Sequence, residues 1–149
     1  MSLRIDRGIV GQEFDHTVFE PVTREQILEY AVAYGETNPL YTDEEAAARG
    51  PYGGLVAPPT FIVRLRGRHF MPKQLPPEIG RSGFDAGKDI ELHEPVRPGD
   101  VLTASTVVHD LYEKTGRSGG MVFLVFRTTV TNQRQEIVAV IDQKMMFRS

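Results

Sequence analysis

Apolar positions along the chain change their period about halfway. Ile27, Tyr30, Ala31 and Tyr34 recur at i, i+3, i+4 and i+7, one face of a helix. Thr23 followed three residues later by Gln26 is a capping-box pattern that starts it. A second, short helix is expected from Thr42, with Glu45 in the matching position, through Ala46-Ala47-Ala48 to a closing Gly50. Beyond the glycines and prolines of Tyr52 to Pro59, the run Thr60-Phe61-Ile62-Val63-Arg64-Leu65 opens a third, more buried helix running towards His69. Its β-branched residues work against that helix.

From Met71 to Gly83 the chain carries Pro72, Pro76, Pro77, Gly80 and Gly83, a composition that sustains neither a helix nor a central strand. It reads as a loop. The remainder alternates with period two and is rich in β-branched residues: Gly87–His93, Val101–Tyr112, Met121–Asn132 and Glu136–Phe147. Turn chemistry at Arg97-Pro98-Gly99-Asp100 and Ser118-Gly119-Gly120 separates these antiparallel strands. With an early strand around Gln12–Phe19, the order is strand, helices, strands, an α+β pattern. A curved antiparallel sheet of about five strands needs one face covered, and the apolar helix near Pro59 is the expected cover. A sheet wrapped around one central helix is the hot-dog fold.

Composition narrows the function classes. A chain of 149 residues fits a single domain, 1–149, with enough surface to bury a core unaided by disulfides. A net charge of −3 offers no footprint for nucleic acid or an anionic membrane. The absence of cysteine excludes thiol nucleophiles and CxxC zinc or redox sites. The longest apolar runs, such as Met121 to Phe126, fall far short of the ~20 residues that span a bilayer. With no signal-like apolar segment at its start, the chain is expected in the cytoplasm.

The stretch with chemistry in it is Gly35-Glu36-Thr37-Asn38-Pro39-Leu40-Tyr41-Thr42-Asp43. It resembles the hydratase loop of the MaoC-like family, whose pattern is Gly-Asp-x-Asn-Pro-hydrophobic-His. Pro95-Val96-Arg97-Pro98-Gly99-Asp100 matches that family's strand-connecting turn, and the resemblance runs from Gly11 onward. It is nearest to the N-terminal half of MaoC dehydratases, often a poorly catalytic hot-dog paired with a catalytic one.

The resemblance implies an Asp and a His that together activate water for addition to a trans-2-enoyl thioester, or run the reverse dehydration. Two acid–base groups facing one water suit that reaction. Here the Asp position is Glu36, a carboxylate one methylene longer, and the His position is Tyr41. A phenol titrates near 10 and an imidazole near about 6.5, so tyrosine is a poor base at neutrality. The family's Ala-His-Gly oxyanion segment falls on Ala57-Pro58-Pro59, and proline has no N–H to polarise a thioester carbonyl. Asn38-Pro39 also reads simply as the turn that ends the preceding helix.

Other candidates are weaker in pattern. Gly116-Arg117-Ser118-Gly119-Gly120 matches G-x-S-x-G but lies between two strands, where a nucleophile elbow needs a strand-to-helix turn. His16, His69, His93 and His109 have no metal-ligand spacing, so no metal is expected. Arg64, Arg66, Arg68 and Lys73 form a basic run, and the resemblance implies coenzyme A or acyl-carrier phosphopantetheine, whose phosphates need such partners. Phe61, Val63 and Leu65, with Phe70 and Met71, line either an acyl tunnel or plain core.

The expected function is a dehydratase or enoyl-thioester hydratase subunit, weakly or non-catalytic alone. Its catalytic positions are Glu36 and Tyr41, the substituted dyad, and its substrate-binding residues are Asn38, Ala57, Pro59, Phe61, Arg64 and Arg66, with no cofactor beyond the acyl carrier. Its partner is a second hot-dog, in a homodimer or a heterodimer with a catalytic MaoC-like chain. The alternatives are an active homodimer using Glu36 and Tyr41, a hot-dog thioesterase using Glu36 or Glu44, and an acyl-thioester-binding protein.

Overall fold

The computed structural model describes residues 5–77, 79, 83–117 and 119–148. Five antiparallel strands make one sheet: β1 (Glu13–Val18), β2 (Gly83–Leu92), β3 (Thr103–Gly116), β4 (Gly119–Thr131) and β5 (Ile137–Arg148). Their order is β1-β3-β4-β5-β2, which leaves β1 and β2 as the edges. Every strand read from the period-two pattern is present. β2 begins four residues earlier than Gly87, because its pairing with β5 shifts register between Asp85 and Gly87 and runs on to Gly83. Bulges of this kind bend a strand and increase its twist, which curves the sheet.

Between β1 and β2 lie α1 (Arg24–Ala33), α2 (Pro39–Thr42), α3 (Glu44–Ala48) and a 3-10 helix at Pro59–Arg64. The capping box of α1 is complete: Gln26 N donates to Thr23 Oγ1 at 3.1 Å and Thr23 N donates to Gln26 Oε1 at 3.0 Å. The cap of α3 sits one residue later than Thr42, since Asp43 Oδ1 accepts from Ala46 N at 3.0 Å. Thr42 closes α2 instead, donating from its hydroxyl to Asn38 O.

The helix expected from Thr60 towards His69 is the largest correction. Only six residues coil, as a 3-10 helix that ends at Arg64. Val63 and Ile62 crowd χ1 in a helix, and from Gly67 to His69 the backbone lies against β1 instead. Cover for the sheet is therefore shared. Ile27, Tyr30 and Ala31 of α1 and Phe61 and Ile62 of the 3-10 helix are buried, and all but Ala31 join one apolar cluster with Leu102, Ala104, Val130 and Val138. A second cluster, with Val108, Leu111, Leu124, Phe126 and Phe147, fills the other end under Ile9 and Ile79.

In the described part of Met71–Gly83 the chain runs as turns up to Ile79, which takes 3-10 geometry with its N–H on Pro76 O at 3.0 Å, and residues 78 and 80–82 lie outside the described residues. Ser118 of the G-x-S-x-G match also lies outside them, while the register pair Gly116↔Gly119 makes its surroundings a β3–β4 hairpin. No helix among the described residues is long and apolar enough to cross a membrane.

Candidate functional site

The turn after α1 is set by backbone. Glu36 N returns to Ala31 O at 2.9 Å, and Gly35 takes φ +69, a conformation that costs glycine little. Asn38 then caps α2, its Oδ1 accepting from Leu40 N at 3.0 Å, with Pro39 in the first helical position where no N–H is needed. This one turn of helix carries Tyr41 inward.

Opposite it, Arg97–Asp100 turns with Pro98 second and Gly99 third at φ +89, and Asp100 N bonds Arg97 O at 3.1 Å, as in a type II turn. Buried Asp100 fixes the turn by accepting from Arg97 N at 2.9 Å and Gln133 Nε2 at 3.0 Å. The strand-like segment before it, Pro95-Val96, takes the Ala57 N–H on Val96 O at 2.8 Å.

Between these walls is a cavity of about 170 Å³. Tyr41, Ala57, Pro58, Pro59 and Ile62 line one side, and Leu92, His93 and Glu94 another, with Tyr52 at the rim. The walls are mostly apolar, and their polar groups are the two phenols, His93 and Glu94. His93 Nε2 lies 3.0 Å from Glu91 Oε1. Arg97 donates to Tyr52 O at 2.6 Å and lies over the Tyr52 ring, which ties that ring to the turn.

Burial, the Glu36 carboxylate and the neighbouring Tyr52 each push the Tyr41 phenol above its ordinary value. Such a phenol keeps its proton at neutral pH. It can donate a hydrogen bond to a substrate oxygen, but it does not take a proton from water. Pro59 has no N–H to act as an oxyanion donor, and the amides of Val56 and Ala57 are already given to Leu40 O and Val96 O.

The structure thus brings Tyr41, Ala57 and Pro59 to one cavity, with Glu36 close enough for its charge to act on Tyr41. The remaining residues singled out from sequence stand elsewhere. Asn38 shapes the turn. Phe61 is core, edge-on to Tyr30 at 5.4 Å. Arg64 is exposed and lies over the Phe61 ring at 4.8 Å, and Arg66 is exposed. Glu44 is engaged by Arg24, whose Nη2 donates to its Oε2 at 2.8 Å. Tyr52, His93 and Glu94 were missed. The signal for the last two was their place just ahead of the Pro95–Asp100 turn.

Residues 8–141 match the family described as FAS1-like, dehydratase domain region. A UPF0336 protein of Streptomyces avermitilis is 32% identical over 118 residues, covering 76% of this chain and 78% of the relative. Among solved structures, the MaoC-like dehydratase from Rhodospirillum rubrum superposes with a TM-score of 0.73 at 27% identity, covering 94% of this chain and 93% of that one. A chain of the C-terminally truncated HadBC (3R-hydroxyacyl-ACP dehydratase) complex from Mycobacterium tuberculosis gives 0.72 at 30% identity, covering 93% and 97%. The five-stranded curved sheet, the Asn-Pro loop beside its cavity and these matches agree: the chain belongs to the FAS1-like dehydratase family and has the hot-dog fold of MaoC-like dehydratases.

Proposed function

We propose that this chain is a subunit of an acyl dehydratase or enoyl-thioester hydratase acting on 3-hydroxyacyl or trans-2-enoyl thioesters. Alone it is weakly or non-catalytic, and it works beside a hot-dog that carries an intact acid–base pair. The observation that carries this reading is the wall of the 170 Å³ cavity, where Tyr41 holds its proton and Pro59 has none to offer. One missing oxyanion donor commonly costs about 10²–10³ in rate. Loss of the imidazole adds to that.

In the pair, the partner's acid and base move the protons of water addition across C2=C3. This chain supplies the apolar walls and one hydroxyl, Tyr41, that donates to a substrate oxygen. The carrier is coenzyme A or an acyl-carrier phosphopantetheine, and the setting is the cytoplasm.

The edge strand β2 supports the pairing. It bonds only β5, all ten of its residues are exposed, and Phe84, Ile90 and Leu92 are 50, 40 and 48% accessible. A long edge with apolar side chains invites another strand. The HadBC structure is itself a complex of two different chains.

Loss of enoyl absorbance on trans-2-enoyl-CoA, measured for the chain alone and co-expressed with a MaoC-like partner, tests the reading. The expected result is an inactive single chain and an active pair. A stable, fully active homodimer overturns it, and release of free thiol points to a thioesterase.

A further inference from the structure

Among the described residues, the most heavily engaged buried side chain is outside the cavity of Tyr41. Asp15, in β1, is 4% exposed. Its Oδ1 accepts from Arg68 N at 3.1 Å and His69 N at 2.9 Å, and His69 Nδ1 lies 3.2 Å away. Its Oδ2 accepts from the Thr17 hydroxyl at 2.9 Å, and Thr17 Oγ1 in turn accepts from Arg68 N at 3.3 Å. A carboxylate and a hydroxyl on one strand thus grip two successive backbone amides more than fifty positions away. No Lys or Arg side chain takes part among the described residues, so the grip is directed at the backbone path.

Gly67 makes the fit closer still. A Cβ there would overlap Oδ2 of Asp15, so the chain passes hard against the carboxylate and any larger residue forces the two apart. Gly67 is also part of a wall. With Ile62, Val63 and Leu65 it roofs a second cavity, of about 120 Å³, whose floor is Ala104, Thr106, Thr128, Val130 and Ile141 of the sheet, with Lys88 and Gln143 at its side. Asp15 stands opposite Thr106 in the β1–β3 register, so both belong to the sheet face beneath this roof. The 3-10 helix stops at Arg64 with Leu65 N closing it on Ile62 O at 3.1 Å, and the roof beyond Leu65 is held by the bonds to β1.

We propose that Asp15 is a positioning residue that latches the segment Leu65–His69 to β1 and so sets how long an acyl tail the second cavity accepts. The inference rests on the reading of this chain as an acyl-thioester subunit. The charge-assisted bonds from Arg68 and His69 fix the height of the roof, and Gly67 lets it come down to the carboxylate. A cavity somewhat smaller than the ~150 Å³ that admits benzene has room for a tail of about five carbons. With the latch released, the roof rises and longer tails enter.

Two measurements on the full chain test this. The first is amide hydrogen exchange at Arg68 and His69, which needs no substrate. Asp15→Asn removes the charge but keeps an acceptor, and it is expected to speed exchange at both amides about tenfold (about 1.4 kcal/mol). His69→Gln keeps both backbone bonds and is expected to change exchange less than Asp15→Asn does. The second is calorimetric affinity for straight-chain acyl-CoA thioesters from butyryl to dodecanoyl. The native chain should fall off beyond the short acyl groups, and both Asp15→Asn and Gly67→Ala should move the limit to longer ones.

Unchanged exchange in Asp15→Asn overturns the latch. Faster exchange with the same chain-length limit overturns its role in selecting the tail. If the native chain binds no acyl-CoA of any length, the functional reading itself fails and the tail claim with it, while the exchange data still decide the latch.

Discussion

Tyr41 and Pro59 wall the same cavity from different segments, one bringing a phenol that holds its proton and the other a ring nitrogen with no hydrogen. Repairing either alone leaves the other fault in place. Tyr41→His is therefore expected to raise enoyl-CoA hydration little by itself. Combined with Pro59→Gly, it should gain at least the ~10²-fold that one oxyanion donor is worth. A single-substrate rate assay on the two variants and their combination checks the order; equal gains from Tyr41→His alone and from the combination would show that Pro59 is not the second fault.

Asp15 carries a pH signature. Burial works to raise its carboxyl, but the Thr17 hydroxyl, the His69 amide and ring and the Arg68 amide outweigh it and hold the group below the usual aspartate value. A group depressed in the folded state stabilises the fold above its unfolded pKa, about 3.9, and that contribution is lost as pH falls through the lower folded value. The stability difference between the native chain and Asp15→Asn should be constant near neutrality and shrink on acidification below about pH 4. Urea unfolding across that range measures it.

The cap of α1 gives a stability test independent of function. Thr23→Ala leaves Gln26 N unpaired at the first turn and should cost about 1 kcal/mol. Because the two halves of the box share one purpose, Thr23→Ala with Gln26→Ala should cost less than the sum of the single changes. Chemical denaturation of the three variants settles it.

Strand β2 is where assembly should be lost. Ile90→Lys with Leu92→Lys places two charges on an edge whose apolar side chains are already exposed, so folding should change little. Sedimentation should show the native chain as a dimer, or bound to its hot-dog partner, and the double variant as a monomer.

Much of this was legible from residue order because the signals were local. Alternation marked β3, β4 and β5, Thr23 and Gln26 marked the start of α1, and Pro98-Gly99 marked the turn that follows the Pro95-Val96 wall of the cavity. The 3-10 helix was over-read because Phe61, Ile62 and Leu65 are apolar in a helix or out of one, and what ends it is a contact with β1. Asp15 was invisible for the same reason. Its partners, Arg68 and His69, lie more than fifty residues on and meet it through backbone N–H groups that no side-chain pattern announces. His93 looked like one of four scattered histidines until the curvature of the sheet brought the end of β2 to Tyr41.

The overlap between Gly67 and the Asp15 carboxylate also constrains how the sequence can drift. A side chain at 67 with aspartate kept at 15 pushes the segment off the carboxylate, and shortening 15 first leaves the Arg68 and His69 amides without an acceptor. Either single step passes through a less stable protein. The two positions, far apart in the chain, should therefore change together or not at all, and chains that have exchanged both at once are where a different tail length should be sought.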